Sequence, residues 1–234
     1  MSLSIVVPAK NEEKNIANTF KKIKTKLSKY NIKYEIIIID DFSDDKTIKI
    51  LKNLKNNNLY FYKNNIPGVG NAVKYGILKS KKKYICIFMA DASDHINDLV
   101  VYYKLINKDN LDAVFGSRFL KKSKIKNYPF LKLVLNRIFN KFVQLLTFSP
   151  YNDFTNAFKI YRRSKLLKIF PLKSKKFEIF LEIPLKFYIK KNKINFIPIN
   201  WTGRKLGVSK FIIKELSLAY LRILIDSLIK FYKI

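Results

Sequence analysis

The sequence predicts an α/β fold in which a mostly parallel sheet is flanked by helices. Three observations predict it. Short apolar runs alternate with stretches of helical period four times between Ser4 and Phe88, the signature of strand–helix–strand units joined by right-handed crossovers. The runs are apolar throughout, as in buried strands. In each unit the acidic or polar cluster follows the strand, at the carboxyl edge where open α/β sheets bind ligands.

The first unit is Ser4–Val7, stopped by Pro8, then a helix with apolar residues at Ile16, Phe20, Ile23 and Leu27. Asn11 reads as its N-cap, and Glu12 and Glu13 suit the positive end of its dipole. Tyr34–Ile39 is the second strand; the loop Asp40–Asp45 and a helix through Thr47, Ile50, Leu51 and Leu54 follow. Leu59–Tyr62 is the third, leading to a Gly-rich loop at Pro67–Asn71 and a helix over Ala72–Leu78. Gly68 and Gly70 fit neither a dinucleotide-binding fingerprint nor a phosphate-binding P-loop. Tyr84–Phe88 is the fourth, with Asp91 and Asp94 three residues apart just beyond it. Two carboxylates there suit a hard divalent cation, Mg2+ or Mn2+, shared with substrate phosphates; the competing reading is that Ser93 or Asp94 caps the next helix. Asp112–Phe115 is a further strand, and Arg118 beyond it can grip an oxyanion in a two-pronged hydrogen bond or form a surface ion pair.

Beyond this point the pattern changes. Residues 127–148 form an amphipathic stretch in which Lys132, Arg137 and Lys141 interrupt a run of Leu, Phe, Ile and Val. It reads as an interfacial helix with snorkelling cations, or else as a core helix. A polar island at Tyr151–Phe158 precedes a basic patch at Lys159, Arg162 and Arg163, and Phe177–Glu182 reads as a helix carrying Glu178 and Glu182 on one face. A strand over Lys193–Asn200 leads to a loop carrying Trp201, Arg204 and Lys210, and the chain ends in a second amphipathic helix. The organisation predicted is a catalytic domain over residues 1–210, containing the amphipathic helix at about 127–148, followed by a C-terminal amphipathic helix over 211–234.

Composition narrows the function. With 47 Lys and Arg against 17 Asp and Glu, the formal charge is +30, which suits nucleic acid, an anionic membrane or phosphate-bearing substrates. Glu12, Asp40, Asp41, Asp91 and Asp94 nonetheless gather on one predicted sheet edge. A nucleic-acid-binding protein would leave that grouping without a use, so no nucleic-acid partner is expected. A pocket for a nucleotide diphosphate and a metal explains it. The single cysteine, Cys86, lies within an apolar strand and reads as a buried small hydrophobe. Met1–Pro8 reads as a strand rather than a signal peptide. No uncharged apolar run approaches the ~18 residues of a membrane-spanning helix. A cytoplasmic protein, peripheral at the inner face of the membrane, is expected.

Six motifs in order resemble the family 2 glycosyltransferases, above all the dolichyl (polyprenyl) phosphate sugar transferases. Pro8–Glu12 resembles P-x-x-N-E, Asp40–Thr47 resembles D-D-x-S-x-D-x-T, and Gly68–Gly76 is similar to the family's Gly-rich helix start. Gly116–Arg118 reproduces G-S-R, Asp153–Lys159 resembles D-x-T-S-G-F-R with three substitutions, and Arg204–Lys210 reproduces R-x-x-G-x-S-K. The usual D-A-D-x-Q window reads Ala90-Asp91-Ala92-Ser93-Asp94 here. The resemblance implies a GT-A fold and a metal-dependent inverting transfer from a nucleotide-sugar, GDP-mannose or a UDP-sugar, to a polyprenyl phosphate; the alternative acceptor is a surface polysaccharide or lipopolysaccharide sugar. It implies that Pro8, Ala9, Asn11, Glu12, Asp40, Asp41, Gly70, Asp91, Arg204 and Lys210 serve the donor, and that Asp91 and Asp94 hold Mg2+ or Mn2+. Arg118, with Lys132 and Asn136 at the positions of the helix Arg and Ser that assist it, would hold the acceptor phosphate. Asp91, Asp94, Arg118 and Lys132 would thus form the catalytic set. The sugar, the base and the oligomeric state stay open.

Overall fold

The computed structural model describes residues 2–204 and 213–232. Its main sheet has seven strands in the order β3-β2-β1-β4-β7-β5-β8. These are β1 Ser2–Ala9, β2 Lys33–Asp40, β3 Leu59–Lys63, β4 Tyr84–Ile87, β5 Ala113–Ser117, β7 Lys159–Arg162 and β8 Ile194–Pro198. A separate two-stranded parallel sheet pairs β6 (Lys124–Lys126) with β9 (Asn200–Thr202). β1 pairs in parallel with β2 and β4, and β2 with β3, as the strand–helix alternation predicts.

The helices are α1 Ile16–Lys29, α2 Thr47–Asn53, α3 Val69–Lys79, α4 Ile96–Lys108, α5 Phe130–Thr147, α6 Arg163–Leu167, α7 Ile179–Ile189 and α8 Ile213–Tyr232. Strand side chains alternate between two cores, the consequence of the two-residue pleat. Leu3, Ile5 and Val7 of β1, Ile36 and Ile38 of β2, and Tyr84, Cys86 and Phe88 join α1 and α4 residues such as Ile16, Ile23, Leu99 and Tyr102. Val6, Ile85 and Ile87 face the other way, onto Val73 and Ile77 of α3 and Ile179 and Ile183 of α7. Cys86 is buried in the first of these cores as a small apolar residue, and burial pushes its thiol pKa up.

Two local expectations are corrected. Residues 159–162 do not form a basic surface patch. They make the short strand β7, antiparallel to β4 and β5 and inserted between them. Ile160 and Tyr161 bring it in, and Lys159 is carried with them to 1% exposure. Asn11 does not cap α1, which starts at Ile16 with Asn15 before it. Asn11 instead adopts a left-handed backbone with φ 51°. Its backbone amide donates to Ser43 Oγ at 2.9 Å and its side-chain amide donates to Asp44 Oδ1 at 2.6 Å. The loop after β1 is thereby fastened to the loop after β2 rather than to its own helix.

α5 carries apolar side chains on both sides, Val143 being fully buried with Phe139 and Leu146 packed against the same core. Asn140, Val143 and Thr147 face inward, Asn140 fully buried, while Phe130 (80% exposed), Leu131, Leu135, Ile138, Phe142 and Leu145 face out. The polar inner positions are satisfied by hydrogen bonds, so nothing internal demands the apolar outer stripe. α8 packs against α7 and α5, with Phe139 and Tyr220 in an edge-to-face contact, and also leaves Leu218, Leu221, Ile225 and Ile229 exposed. Among the described residues no helix is long and apolar enough to cross a membrane.

The segment before α7 closes on α3. Gly70 and Asn71 donate their amides to the Lys175 carbonyl at 2.9 and 3.3 Å, and a Cβ at Gly70 would stand 2.7–2.9 Å from the backbone of Lys175 and Lys176. Gly70→Ala should therefore lower unfolding free energy by about 1–3 kcal/mol through overpacking, measured by urea denaturation. An unchanged midpoint would show that the 175–176 segment yields freely.

Candidate active site

The carboxyl edge of the sheet carries the predicted acids. Ala9 of β1 pairs with Asp40 of β2 in register, which brings Pro8, Ala9, Asn11 and Glu12 beside Asp40 and Asp41. Asp41 Oδ1 accepts from Asn64 Nδ2 and from the Gly68 amide, both at 2.8 Å. It thus fixes the loop that opens α3. Asp40 is buried, and its Oδ1 has no hydrogen-bond partner among the described residues. Gly70 spends its amide on Lys175, as described above. Lys210 lies outside the described residues.

Next along the edge, the chain leaves β4 through a turn held by the Thr19 hydroxyl, which donates to the Ala90 carbonyl at 2.7 Å. Ala92 is left-handed, with φ 51°. That geometry lets Asp91 Oδ1 accept the Ser93 amide at 3.0 Å. Neither Ser93 nor Asp94 caps α4: its N-cap is His95, with no side-chain cap bond. Asp94 is buried, and among the described residues its Oδ1 has no hydrogen-bond partner. Burial first, then the neighbouring Asp91, pushes its pKa up to about 8.

Arg118 follows β5 and is buried rather than on the surface. Its Nε and backbone amide donate to Asp153 Oδ2 at 2.9 and 2.8 Å, and its Nη2 to Asp153 Oδ1 at 2.6 Å. Asp153 is fully buried. Asp153, known from sequence only as the first residue of a motif, is thus the counterion that aims Arg118. The next residues are tied to α5, since Asn136 and Asn140 donate to Thr155 Oγ1 at 3.2 and 2.8 Å. From below, Lys159 Nζ donates to the Phe154 and Asn156 carbonyls. Burial pulls its pKa down to about 7.

These elements enclose a cavity of about 270 Å³. Asp91, Asp94, Arg118, Lys132 and Arg204 all line it. Pro8, Ala9, Asn11, Glu12, Asp40, Asp41 and Gly70 lie outside its lining, and Arg204 bridges the two groups: Nη2 donates to Asp91 Oδ2 at 2.8 Å while Nη1 stands 3.6 Å from Glu12 Oε1. Lys132 is half-buried, and burial first, then Arg204 and Arg118, lowers its pKa.

Sequence reasoning had not assigned the aromatic wall to the pocket. Tyr128 and Trp201 lie with ring centroids 4.7 Å apart and Arg118 over both, at 5.8 and 6.0 Å. Trp201 is placed by a bridge to Asp94 and by Asp98 of α4, which accepts the Asn200 amide at 2.9 Å. The only tryptophan in the chain, three residues before a conspicuous Arg, was the available signal.

Among the described residues no three His, Cys, Asp or Glu side chains are grouped to hold a metal by themselves. Asp91 and the unpartnered Asp94 oxygen form a two-carboxylate set. That fits an ion such as Mg2+, which is commonly held by one or two carboxylates and substrate phosphates.

The raised Asp94 pKa has a consequence for stability. An unfolded Asp ionises near 3.8, whereas folded Asp94 keeps its proton until about pH 8. Between those values the unfolded state binds fewer protons, so stability falls as pH rises across the window. Asp94→Asn mimics the neutral form and should flatten that fall, gaining roughly 1–3 kcal/mol at pH 7 in metal-free buffer. Urea denaturation at pH 5 and pH 7.5 measures it, and parallel pH profiles for both proteins would refute it.

Comparison with known proteins agrees with this architecture. The family model for glycosyl transferase family 2 matches residues 4–170. A dolichyl-phosphate beta-glucosyltransferase of Dictyostelium discoideum is 33% identical over 229 residues, covering 87% of this chain and 68% of that protein. A dolichol-phosphate mannosyltransferase of Pyrococcus furiosus is 26% identical over 226 residues, covering 90% of this chain and 59% of that one. Glucosyl-3-phosphoglycerate synthase from Mycobacterium tuberculosis, solved with Mn2+, UDP and glucosyl-3-phosphoglycerate, superposes with a TM-score of 0.74 at 14% identity, over 97% of this chain and 79% of that one. At that identity the likeness shows the fold alone.

Proposed function

Since this chain belongs to glycosyl transferase family 2, we propose that it moves a sugar from a nucleotide-sugar to the phosphate of a polyprenyl or dolichyl lipid, working at the cytoplasmic face of a membrane. The observation that carries this reading is the course of α5. Its first turns supply Lys132 and Asn136 to the cavity, next to Arg118. The same helix turns Phe130, Leu131, Leu135, Ile138, Phe142 and Leu145 to the outside. A ligand with an anionic head and a long apolar tail matches that succession. The two named relatives, whose names state dolichyl or dolichol phosphate, support the same acceptor class.

In this mechanism the residues divide by charge. Pro8, Ala9, Asn11, Glu12, Asp40, Asp41 and Gly70 border the nucleotide end of the donor, and Arg204 and Lys210 attend its diphosphate. Asp91 and Asp94 would hold Mg2+ or Mn2+, which when bound would stabilise charge on the departing nucleotide. Arg118 and Lys132 hold the acceptor phosphate, already ionised at neutral pH, so its attack needs no general base. Their positive charge offsets repulsion between that phosphate and the donor diphosphate. The acceptor oxygen bonds to the anomeric carbon as the carbon–oxygen bond to the diphosphate breaks. The electron pair leaves with the nucleotide and the anomeric configuration inverts. Asp153 holds Arg118 in position for this throughout.

A transfer assay with labelled nucleotide-sugars and a polyprenyl phosphate tests the reading. Label should enter the organic phase with Mg2+ or Mn2+ and not with EDTA, and Asp91→Ala should lower the rate roughly 100-fold or more. Transfer to a water-soluble sugar acceptor with no lipid labelling would overturn the acceptor assignment and leave the family intact. Membrane attachment is read separately by flotation with anionic vesicles, where Ile138→Ser with Phe142→Ser should reduce the bound fraction several-fold. Equal flotation of wild type and variant would place the contact elsewhere.

A further inference from the structure

We infer that Arg204 is an internal counterion occupying the metal carboxylate, so that the divalent ion and the donor diphosphate must enter together. The inference rests on the metal reading of Asp91 above and extends it to the order of binding. Both oxygens of Asp91 are engaged: Oδ1 by the Ser93 amide at 3.0 Å and Oδ2 by Arg204 Nη2 at 2.8 Å. The same guanidinium reaches Glu12 Oε1 at 3.6 Å. It therefore straddles the ends of β1 and β4, the two strands between which a metal–diphosphate group would sit.

Arg204 and Asp91 are only 21% and 11% exposed, so water screens their attraction weakly. A metal arriving alone must displace a guanidinium from a mostly dry carboxylate. It would drive that cation toward Arg118 and Lys132, which already crowd the same cavity, and burial with these neighbouring cations already lowers the Lys132 pKa. A nucleoside diphosphate removes the obstacle, because its phosphates give Arg204 a new anionic partner as Asp91 is released to the ion. Arg204 thus couples the two ligands, and the coupling is reciprocal. The arrangement also keeps Asp91 and Glu12 from facing one another as bare anions when the site holds no ligand.

The decisive experiment uses no donor and no lipid, so its outcome is independent of the acceptor assignment. MnCl2 is titrated into the full chain, and the free aqueous ion is counted by its electron paramagnetic resonance signal. Arg204→Gln should bind Mn2+ alone at least about tenfold more tightly than wild type, about 1.4 kcal/mol. Arg204→Lys, which keeps a charge but loses the fork, should fall between them. Adding Asp91→Asn to Arg204→Gln should abolish the gain, and circular dichroism confirms that each variant is folded. Equal or weaker Mn2+ binding by Arg204→Gln, no binding by either protein, or a gain that survives Asp91→Asn would each overturn the inference. A guanidinium that merely braced the fold would lower Mn2+ affinity on removal.

Discussion

Arg118 and Asp153 meet where water is excluded, and much of the site depends on that meeting. Three hydrogen bonds join them, including one from the Arg118 backbone. The pair therefore fixes the end of β5 as well as a side chain. A buried ion pair is weak evidence for added stability, because desolvation offsets much of the attraction. Losing one partner is another matter, costing about 3–5 kcal/mol because a buried charge is left alone. What the pair supplies is placement. Thr155 follows two residues later and carries the hydrogen bonds of Asn136 and Asn140, so the orientation of α5 is set from the same loop. The outward apolar stripe of α5 is the far side of that arrangement.

Lys159 completes the loop from beneath. Its ammonium donates to two main-chain carbonyls and lies over the rings of Phe115 and Tyr151, each 5.6 Å away. Burial drives the groups of this edge toward neutrality, Lys159 downward and Asp94 upward. Such unfavourable ionisation is what a site tolerates when its charges await ligands, and stability given up at a functional site is a common trade. The net charge of +30 is therefore the less informative quantity; it is the placement of acids among those bases that specifies chemistry.

The sheet was legible in the sequence because its signals are local. Ile36–Ile39 and Ile85–Ile87 are apolar without interruption, and strands buried on both faces read that way. The acids after them were legible for the same reason, since a strand end fixes which residues reach the edge. What could not be read depends on distant partners. β7 has only Ile160 and Tyr161 as apolar content, and its antiparallel place between β4 and β5 comes from the sheet having a gap there. Asn11 carries a helix-capping side chain, yet Asp44 and Ser43, more than thirty residues on, offer it more. At Gly70 the missing side chain also admits the backbone of Lys175, a contact made from far along the chain. The amphipathic period of residues 127–148 was plain, but that Asn136 and Asn140 turn inward depends on Thr155, well along the chain.

In the proposed reaction, the placement of α5 bears on how one pocket would serve two anions. A donor diphosphate and an acceptor phosphate repel each other, so both can be held only if cations stand between them and the acids are kept to one side. Asp91 and Asp94 come from the β4 end; Arg118 and Lys132 come from the β5 end and from α5. The division follows the order of strands, with β7 between β4 and β5 as spacer. Arg204 is the exception, a cation seated on the acidic side. Without an anionic ligand, the acids there would face a desolvation cost with no compensating charge. A fixed cation removes that cost but blocks the carboxylate, and a movable one removes it only until a diphosphate arrives. Placing the cation at the end of a three-residue strand, two residues past Thr202, rather than within the main sheet, is what makes the second arrangement mechanically open to the chain.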